Sequence, residues 1–336
     1  MNLERRNTQT GFKIFVLYVL CIASLTFSGC QNSGETKNKV PVIGFLDFIQ
    51  DPTIELAKQG FFDALRNQGF SESDSTIEVV YANAQGDIPT LNQSCDFILS
   101  KNPDLIGTNV TLSTITAVQK TSVVPIFMMV APRPDIAGLT GKYGKVPENL
   151  HGVYETLDYI DSAVVIIKEL FPNAKRIGTV FNQSEPQSKD AYNALFKKCR
   201  ELGLELESLP VNNSSETQLV TQALLNKKID AFFALPDNVI FASFETIAKE
   251  CDAAKVPIFT SEAGLVTRGA VASFGADFYY WGYQSGTQAA QFLLSGKKSN
   301  PKPEIVALRK KIYNAEAAAR FGLSPDSTYT AYAPGR

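Results

Sequence analysis

The sequence predicts an α/β chain folded as two lobes, each a parallel sheet flanked by helices. After residue 40, apolar runs of strand length alternate with stretches of helical periodicity. The alternation runs through a first half and starts again in a second, without a close sequence repeat. At 336 residues the chain also exceeds one ordinary core and suits two lobes of roughly 100 to 200 residues each.

The first half opens with "VPVIGFLDF", an apolar run of strand length. "PTIELAKQGFFDALRNQG" follows, with Ile54, Phe61, Phe62 and Leu65 at helical spacing and Gly69 as a stop. "TIEVVYANAQGD" reads as a second strand and "PTLNQSCDFILSKN" as a helix. "PDLIGTNV", "TLSTITAVQKT" and "VVPIFMMVA" continue as strand, helix and strand. Strands joined by helices in this way make a parallel sheet.

The second half repeats the grammar. "YIDSAVVIIKELFPNA" is a helix, "RIGTVF" a strand, "SKDAYNALFKKCRELG" a helix and "LELESLPV" a strand. "ETQLVTQALLNKK", "IDAFFALPD", "VIFASFETIAKECDAAK", "VPIFTSE" and "LVTRGAVASFG" extend the series, and "DFYYWGYQSGTQAAQFLLSG" turns helical in its later part. Two such lobes enclose a cleft at the carboxyl ends of their strands, where open α/β sheets hold ligands.

The N-terminus differs from the rest. Arg5, Arg6 and Lys13 lie before or at the start of "IFVLYVLCIASLTFSGC", an apolar run shorter than the ~20 residues that cross a bilayer. Residues 1–29 read as an export signal. "TFSGC" looks like a bacterial lipobox, with Phe27 departing from the usual aliphatic residue and Cys30 as the lipidated cysteine. The polar "QNSGETKNK" completes a tether over residues 30–39. Cys95, Cys199 and Cys251 are too widely spaced for a metal motif, and helix-face packing is their expected role. With 32 basic and 34 acidic residues the chain has no field that favours nucleic acid.

Functional candidates cluster at strand ends. "FLDFIQDP" offers Phe48 to stack on a planar ligand, Asp47 to receive an ammonium, and Gln50 and Asp51; core packing and helix capping are the competing roles. Asn83 and Gln85 can orient a ligand, whereas Asp87 is expected to cap. In "TNVTLST", Asn109, Thr111, Ser113 and Thr114 stand where hydroxyls and backbone amides receive a carboxylate, or where they simply cap a helix. "FNQSEPQS" presents Asn182, Ser184, Glu185 and Ser188. Asp237 is expected to pair with a ligand ammonium and Asn238 to orient it, with one of the two as an N-cap in the alternative. Ser261, Glu262 and Asp277 follow at later strand ends. Core packing is the default around Tyr280, Trp281 and Phe292, while Phe278 or Tyr279 is a binding candidate.

Nucleophilic chemistry is hard to assemble from this inventory. His151 is the sole histidine, so a His-based triad and a His-rich zinc site find no partners. A loop or interlobe hydrogen bond is its expected role. No Gly-rich phosphate loop occurs, and no cofactor or metal is expected.

From Val40 through Gly322 the chain resembles the family of ABC transporter substrate-binding lipoproteins that includes tryptophan- and tyrosine-binding members. "NAQGD", "FPNAKRIGTVFNQSE", "PDN", "VPIFTSE", "TRGA" and "FGADFYYWG" follow its pattern in order. The resemblance implies a type I periplasmic-binding-protein fold with three crossovers. Its first lobe would hold residues 40–153 and about 278–305, and its second about 154–277 and 306–336. It implies a monomeric, lipid-anchored solute-binding protein of the bacterial periplasm or cell surface that performs no covalent chemistry. A small-molecule solute, an ABC permease with its ATPase, and the membrane reached through the anchor are its implied partners.

On this pattern Asp47, Phe48, Gln50, Asp51, Thr111, Ser113, Asn182, Ser184, Glu185, Ser188, Asp237, Asn238, Glu262 and Asp277 match cleft positions. Arg133 stands where the family more often has an acid, and His151 and Tyr154 replace small polar residues, which makes all three candidate specificity positions. An aromatic or modified amino acid, a nucleoside and a more anionic solute all remain open, as does ligand sensing through a receptor.

Overall fold

The computed structural model describes residues 40–332 apart from 142, 143, 157 and 158. The expected export signal, the tether and Cys30 lie outside the described residues. Among the described residues no helix is long and apolar enough to cross a membrane.

Two sheets organise the molecule. β1 (Val42–Asp47) lies between β2 (Glu78–Asn83) and β3 (Leu105–Asn109), with β4 (Ile126–Met129), β5 (Leu150–Tyr154) and the short β11 (Glu304–Ile305) beyond β3. All these pairings are parallel. The second sheet runs β13 (Thr330–Ala331), β12 (Arg309–Tyr313), β10 (Ala272–Ala276), β9 (Ile258–Thr260), β8 (Ala231–Ala234), β6 (Arg176–Phe181) and β7 (Glu205–Pro210). Only β12 against β10 is antiparallel. The chain therefore passes between sheets after β5, after β10 and after β11.

Helices start where the sequence supplies caps. Asp51 accepts the amides of Thr53 and Ile54 at 2.8 and 3.1 Å ahead of α1 (Pro52–Asn67), and Pro52 supplies a first-turn φ. Asp87 accepts Thr90 N ahead of α2 (Ile88–Ser100). α3 (Thr111–Lys120), α4 (Tyr159–Leu170), α5 (Pro186–Glu201) and α6 (Thr217–Leu225) continue the layers. Cys95, Cys199 and Cys251 are all buried and unpaired.

Three local expectations change. His151 sits on β5 beside Phe127, not in a loop, and its ring packs on Phe127 with centroids 5.0 Å apart. Its Nδ1 donates to Pro301 O at 2.6 Å, and burial pushes the imidazole below its ordinary range, so it is a neutral core residue. The helix read through residues 239–255 is two: α7 (Asn238–Ala242) and α8 (Phe244–Ala253) meet at Ser243, whose φ of −122° leaves the helical region. Residues Ala263–Val266 form a short helix, α9, and the following strand starts only at Ala272.

α10 (Phe278–Leu294) leaves the second sheet and packs on α1, β4 and β5 of the first lobe. Backbone meets backbone at this seam: an added Cβ would lie 1.8 Å from Ala57 O at Gly282 and 2.3 Å from Phe61 O at Gly286. Trp281 Nε1 donates to Val153 O at 2.8 Å, and Ser285 Oγ to Met128 O at 3.0 Å, which ties the helix to the first sheet.

The glycine seam gives a test. Alanine in a helix interior ordinarily gains about 1 kcal/mol over glycine, but at residue 282 its methyl meets the Ala57 backbone and the two helices must part. Gly282→Ala is therefore expected to lose about 1–3 kcal/mol, read as a lower denaturant midpoint. A stabilised variant would contradict the packing described.

Candidate functional site

The carboxyl ends of both sheets face one cleft. Its inner part is a cavity lined from the first lobe by Val110, Thr111, Val130, Ala131 and Pro132, and from the second by Tyr159, Gln187, Pro236, Asn238, Phe241 and Glu262. Phe278 and Trp281 at the start of α10 close it. The cavity is tight, with about 30 Å³ open to water centres, which is room for about two waters. An outer mouth of about 510 Å³ is lined by Phe48, Ile49, Gln50, Gln85, Leu112, Asn182, Ser184, Glu185 and the Asn212–Ser214 turn, and shares Asn238 with the cavity.

Glu262 dominates the inner chemistry. Its side chain is fully buried after β9, and Oε1 accepts from Tyr159 OH at 2.8 Å and Ser261 Oγ at 2.9 Å. Oε2 has no hydrogen-bond partner among the described residues. Burial pushes the acid up to about 7, and the two hydroxyl donors only partly offset that. A buried carboxylate oxygen left open toward a cavity is a receptor for a cation or a donor.

Two amides join it. Gln187, in the first turn of α5, and Asn238, at the start of α7, both line the cavity. Gln187 Oε1 is buried without a partner. Their N–H groups go to Glu185, which also accepts Asn182 Nδ2 at 3.3 Å. Burial and the charge of Asp237 push Glu185 up to about 8 against the pull of these donors.

The first lobe offers an uncapped helix. Val110 precedes α3 with φ 67° and no side chain caps the first turn, where Thr111 lines the cavity. Val130, another lining residue, has φ 51°. These are the only β-branched residues with positive φ among the described residues. Such strain costs about 1–3 kcal/mol each and gathers at functional sites. The walls are aromatic: Phe278 meets Phe241 and Trp281 edge-on, with centroids 5.9 and 5.7 Å apart.

Of the residues singled out in the sequence, Thr111, Asn238 and Glu262 line the inner cavity, and Phe48, Gln50, Asn182 and Ser184 line the mouth together with Asn238. Gln85 and Glu185 also line the mouth and Phe278 the inner cavity, whereas Asp47, Asn83, Ser113, Arg133, His151, Tyr154, Ser188, Asp237 and Asp277 line neither. Asp237 is fully buried, and its oxygens accept from Val239 N, Ile240 N, Asn182 N and Ser188 Oγ, so no acceptor remains for a ligand ammonium. Ser188 is consumed by that same bond. Asp47 lies 3.7 Å from Lys58, whose ammonium also sits over the Tyr81 ring. Asn83 bonds Tyr81 OH and Gln85 N.

Asp277 caps α10 and pairs with Lys310 at 2.6 Å. Ser113 is buried in α3. Arg133 makes a two-pronged pair with Asp135 at 2.6 and 2.9 Å. Tyr154 ends β5, and its carbonyl accepts Val306 N. Tyr159, Gln187 and Phe241 escaped the sequence reading, since each sits inside a helix pattern that core packing already explains.

Comparison with known proteins agrees with this architecture. Residues 42–333 match the family model described as ABC transporter substrate binding protein. A tyrosine-binding protein of Clostridioides difficile is 32% identical over 300 residues, covering 86% of this chain and 85% of that protein. The crystal structure of an ABC domain from Streptococcus pneumonia in complex with L-Trp superposes with a TM-score of 0.78 at 26% identity, covering 86% of this chain and 97% of that one. A ligand-free, open substrate-binding protein with adhesive properties from Clostridium difficile gives 0.64 at 26% identity, covering 87% and 99%.

Removing the Asp237 carboxylate tests its place in the framework. Asp237→Ala deprives four buried donors of their acceptor and uncaps α7, and is expected to cost about 2–4 kcal/mol in an unfolding titration. Loss of ligand affinity with unchanged stability would instead return Asp237 to the binding site.

Proposed function

The chain belongs to the ABC transporter substrate-binding protein family, and we propose that its solute is an aromatic amino acid held in the inner cavity for delivery to a membrane permease driven by an ATPase. It is an extracytoplasmic, non-catalytic solute-binding protein. The observation that carries the choice of solute is the fully buried Glu262 with an unpartnered oxygen among aromatic walls.

An amino acid suits the two sides of the cleft separately. Its ammonium pairs with Glu262 on the second lobe, a charge-assisted bond that neutralises a costly buried acid. Its carboxylate meets Thr111 and the uncapped first turn of α3 on the first lobe. Phe241, Phe278 and Trp281 take the ring. The zwitterion thus bridges both lobes, and binding favours the closed arrangement. The closer likeness to the L-Trp complex than to the open, ligand-free structure supports this reading. The cavity must widen to admit a ring.

The N-terminal sequence supports delivery from a membrane anchor: "TFSGC" as the lipidation site at Cys30 and "QNSGETKNK" as the tether. Cys30→Ala is expected to abolish incorporation of labelled fatty acid and to move the protein from the membrane to the soluble fraction. Retention of the label would refute lipidation at this residue.

Native mass spectrometry of the purified protein, followed by calorimetry with L-tyrosine, L-tryptophan and L-phenylalanine, tests the solute class. At least one is expected to bind, and an intact non-amino solute in the cavity would overturn the assignment. The acid also sets a pH dependence. Below about pH 7 Glu262 holds a proton that the ammonium must displace, so affinity falls as pH drops, approaching tenfold per pH unit well below 7. Glu262→Gln is expected to flatten that profile and to weaken binding about 10–100-fold at pH 8. An unchanged profile in the variant would exclude Glu262 as the titrating group.

A further inference from the structure

We propose that Glu185 sets the preference of the inner cavity for a primary ammonium without touching the solute, by holding the amides of Gln187 and Asn238 with their carbonyl oxygens turned inward. The inference rests on the amino-acid reading and adds a residue to it. Glu185 is 4% exposed and lines the outer mouth rather than the inner cavity.

A side-chain amide offers a C=O on one side and an NH2 on the other, and its surroundings decide which faces a ligand. Here one carboxylate oxygen decides for two amides. Glu185 Oε2 accepts Gln187 Nε2 and, at 2.9 Å, Asn238 Nδ2, with the Asn238 backbone amide at 3.4 Å. Oε1 takes Asn182 Nδ2, while Asn182 Oδ1 is fixed by Ser184 N at 2.9 Å. These partners are all donors, so where Glu185 is ionised, above about pH 8, it fixes the amide orientations.

The consequence appears in the cavity. Gln187 Oε1 is buried without a partner, and Asn238 spends its Nδ2 on Glu185. Gln187 Oε1 and Glu262 Oε2 are thus two open acceptors on cavity-lining residues. A primary ammonium has three N–H donors. A des-amino acid of the same shape leaves those acceptors desolvated and unpaired, and sites of this kind discriminate strongly. Neither end of the solute needs to reach Glu185 for this selection to operate.

The test compares L-tyrosine and L-tryptophan with their des-amino acids by calorimetry at one pH, using the full-length mature protein. In the wild type the amino forms bind more tightly; if they do not, the amino-acid reading itself fails. Glu185→Met fills the volume but frees both NH2 groups, and the ratio of des-amino to amino dissociation constants is expected to fall at least about tenfold. Gln187→Met removes one inward oxygen in a framework that keeps Glu185, and is expected to lower the same ratio by about tenfold, so it decides the matter if Glu185→Met does not fold. A ratio unchanged in both variants, or equal weakening of the amino and des-amino forms, overturns the proposal and leaves Glu185 a purely structural acid while the amino-acid reading stands.

Discussion

A carboxylate buried with no cation beside it is the constraint from which the rest of the site follows. Glu262 is fully enclosed, and only one of its oxygens is satisfied by Tyr159 and Ser261. Burying an acid this way costs free energy that folding must carry from elsewhere. The cost is tolerable because the group can stay neutral until a cationic partner arrives, which is the meaning of its raised pKa. The aromatic walls that exclude water sharpen the effect, since the pairing strengthens as the surroundings become less polar. The strained valines lie in the same place: Val110 and Val130 hold positive φ in the cavity wall, where such strain commonly gathers.

The lobes are already joined by ionic contacts that any opening must disturb. Arg268, beyond α9, donates to Asp51 at the head of α1 at 2.6 Å, and also holds Glu245 and the carbonyl of Phe241, a cavity wall. Arg309, at the start of β12, grips the fully buried Glu155 just beyond β5 with two hydrogen bonds. The first contact couples the aromatic wall to the first lobe, and the second braces the crossover between sheets. A solute whose two charged ends bind opposite lobes adds to this closed set, which is how a ligand contributes differential free energy to one arrangement over another.

Much of the fold was legible because parallel strands buried on both faces read as unbroken apolar runs, such as "VIGFLD" and "AFFA". β5 was not, because His151 and Gly152 interrupt its apolar character, and the compensating contacts with Pro301 and Gln288 come from far along the chain. The site divides in the same way. Strand-end position drew attention to Thr111, Asn238 and Glu262, which line the inner cavity. It could not separate Asp237 from Glu262, since both are acids following an apolar strand. The difference is that helix α7 begins right after Asp237 with two free amides to satisfy, while Glu262 caps nothing through its side chain. Gln187, Tyr159 and Phe241 enter the cavity through tertiary placement of helices whose own patterns are explained by packing.

The central claim is that one ligand amine meets Glu262 while the acid group of the same ligand meets α3. A crystal structure of the protein grown with L-tyrosine or L-tryptophan addresses it directly. The account predicts the ammonium nitrogen within about 2.7–3.2 Å of Glu262 Oε2 and the carboxylate at Thr111 and the first amides of α3. A solute seated in the outer mouth, or one whose carboxylate lies beside Glu262, would contradict it.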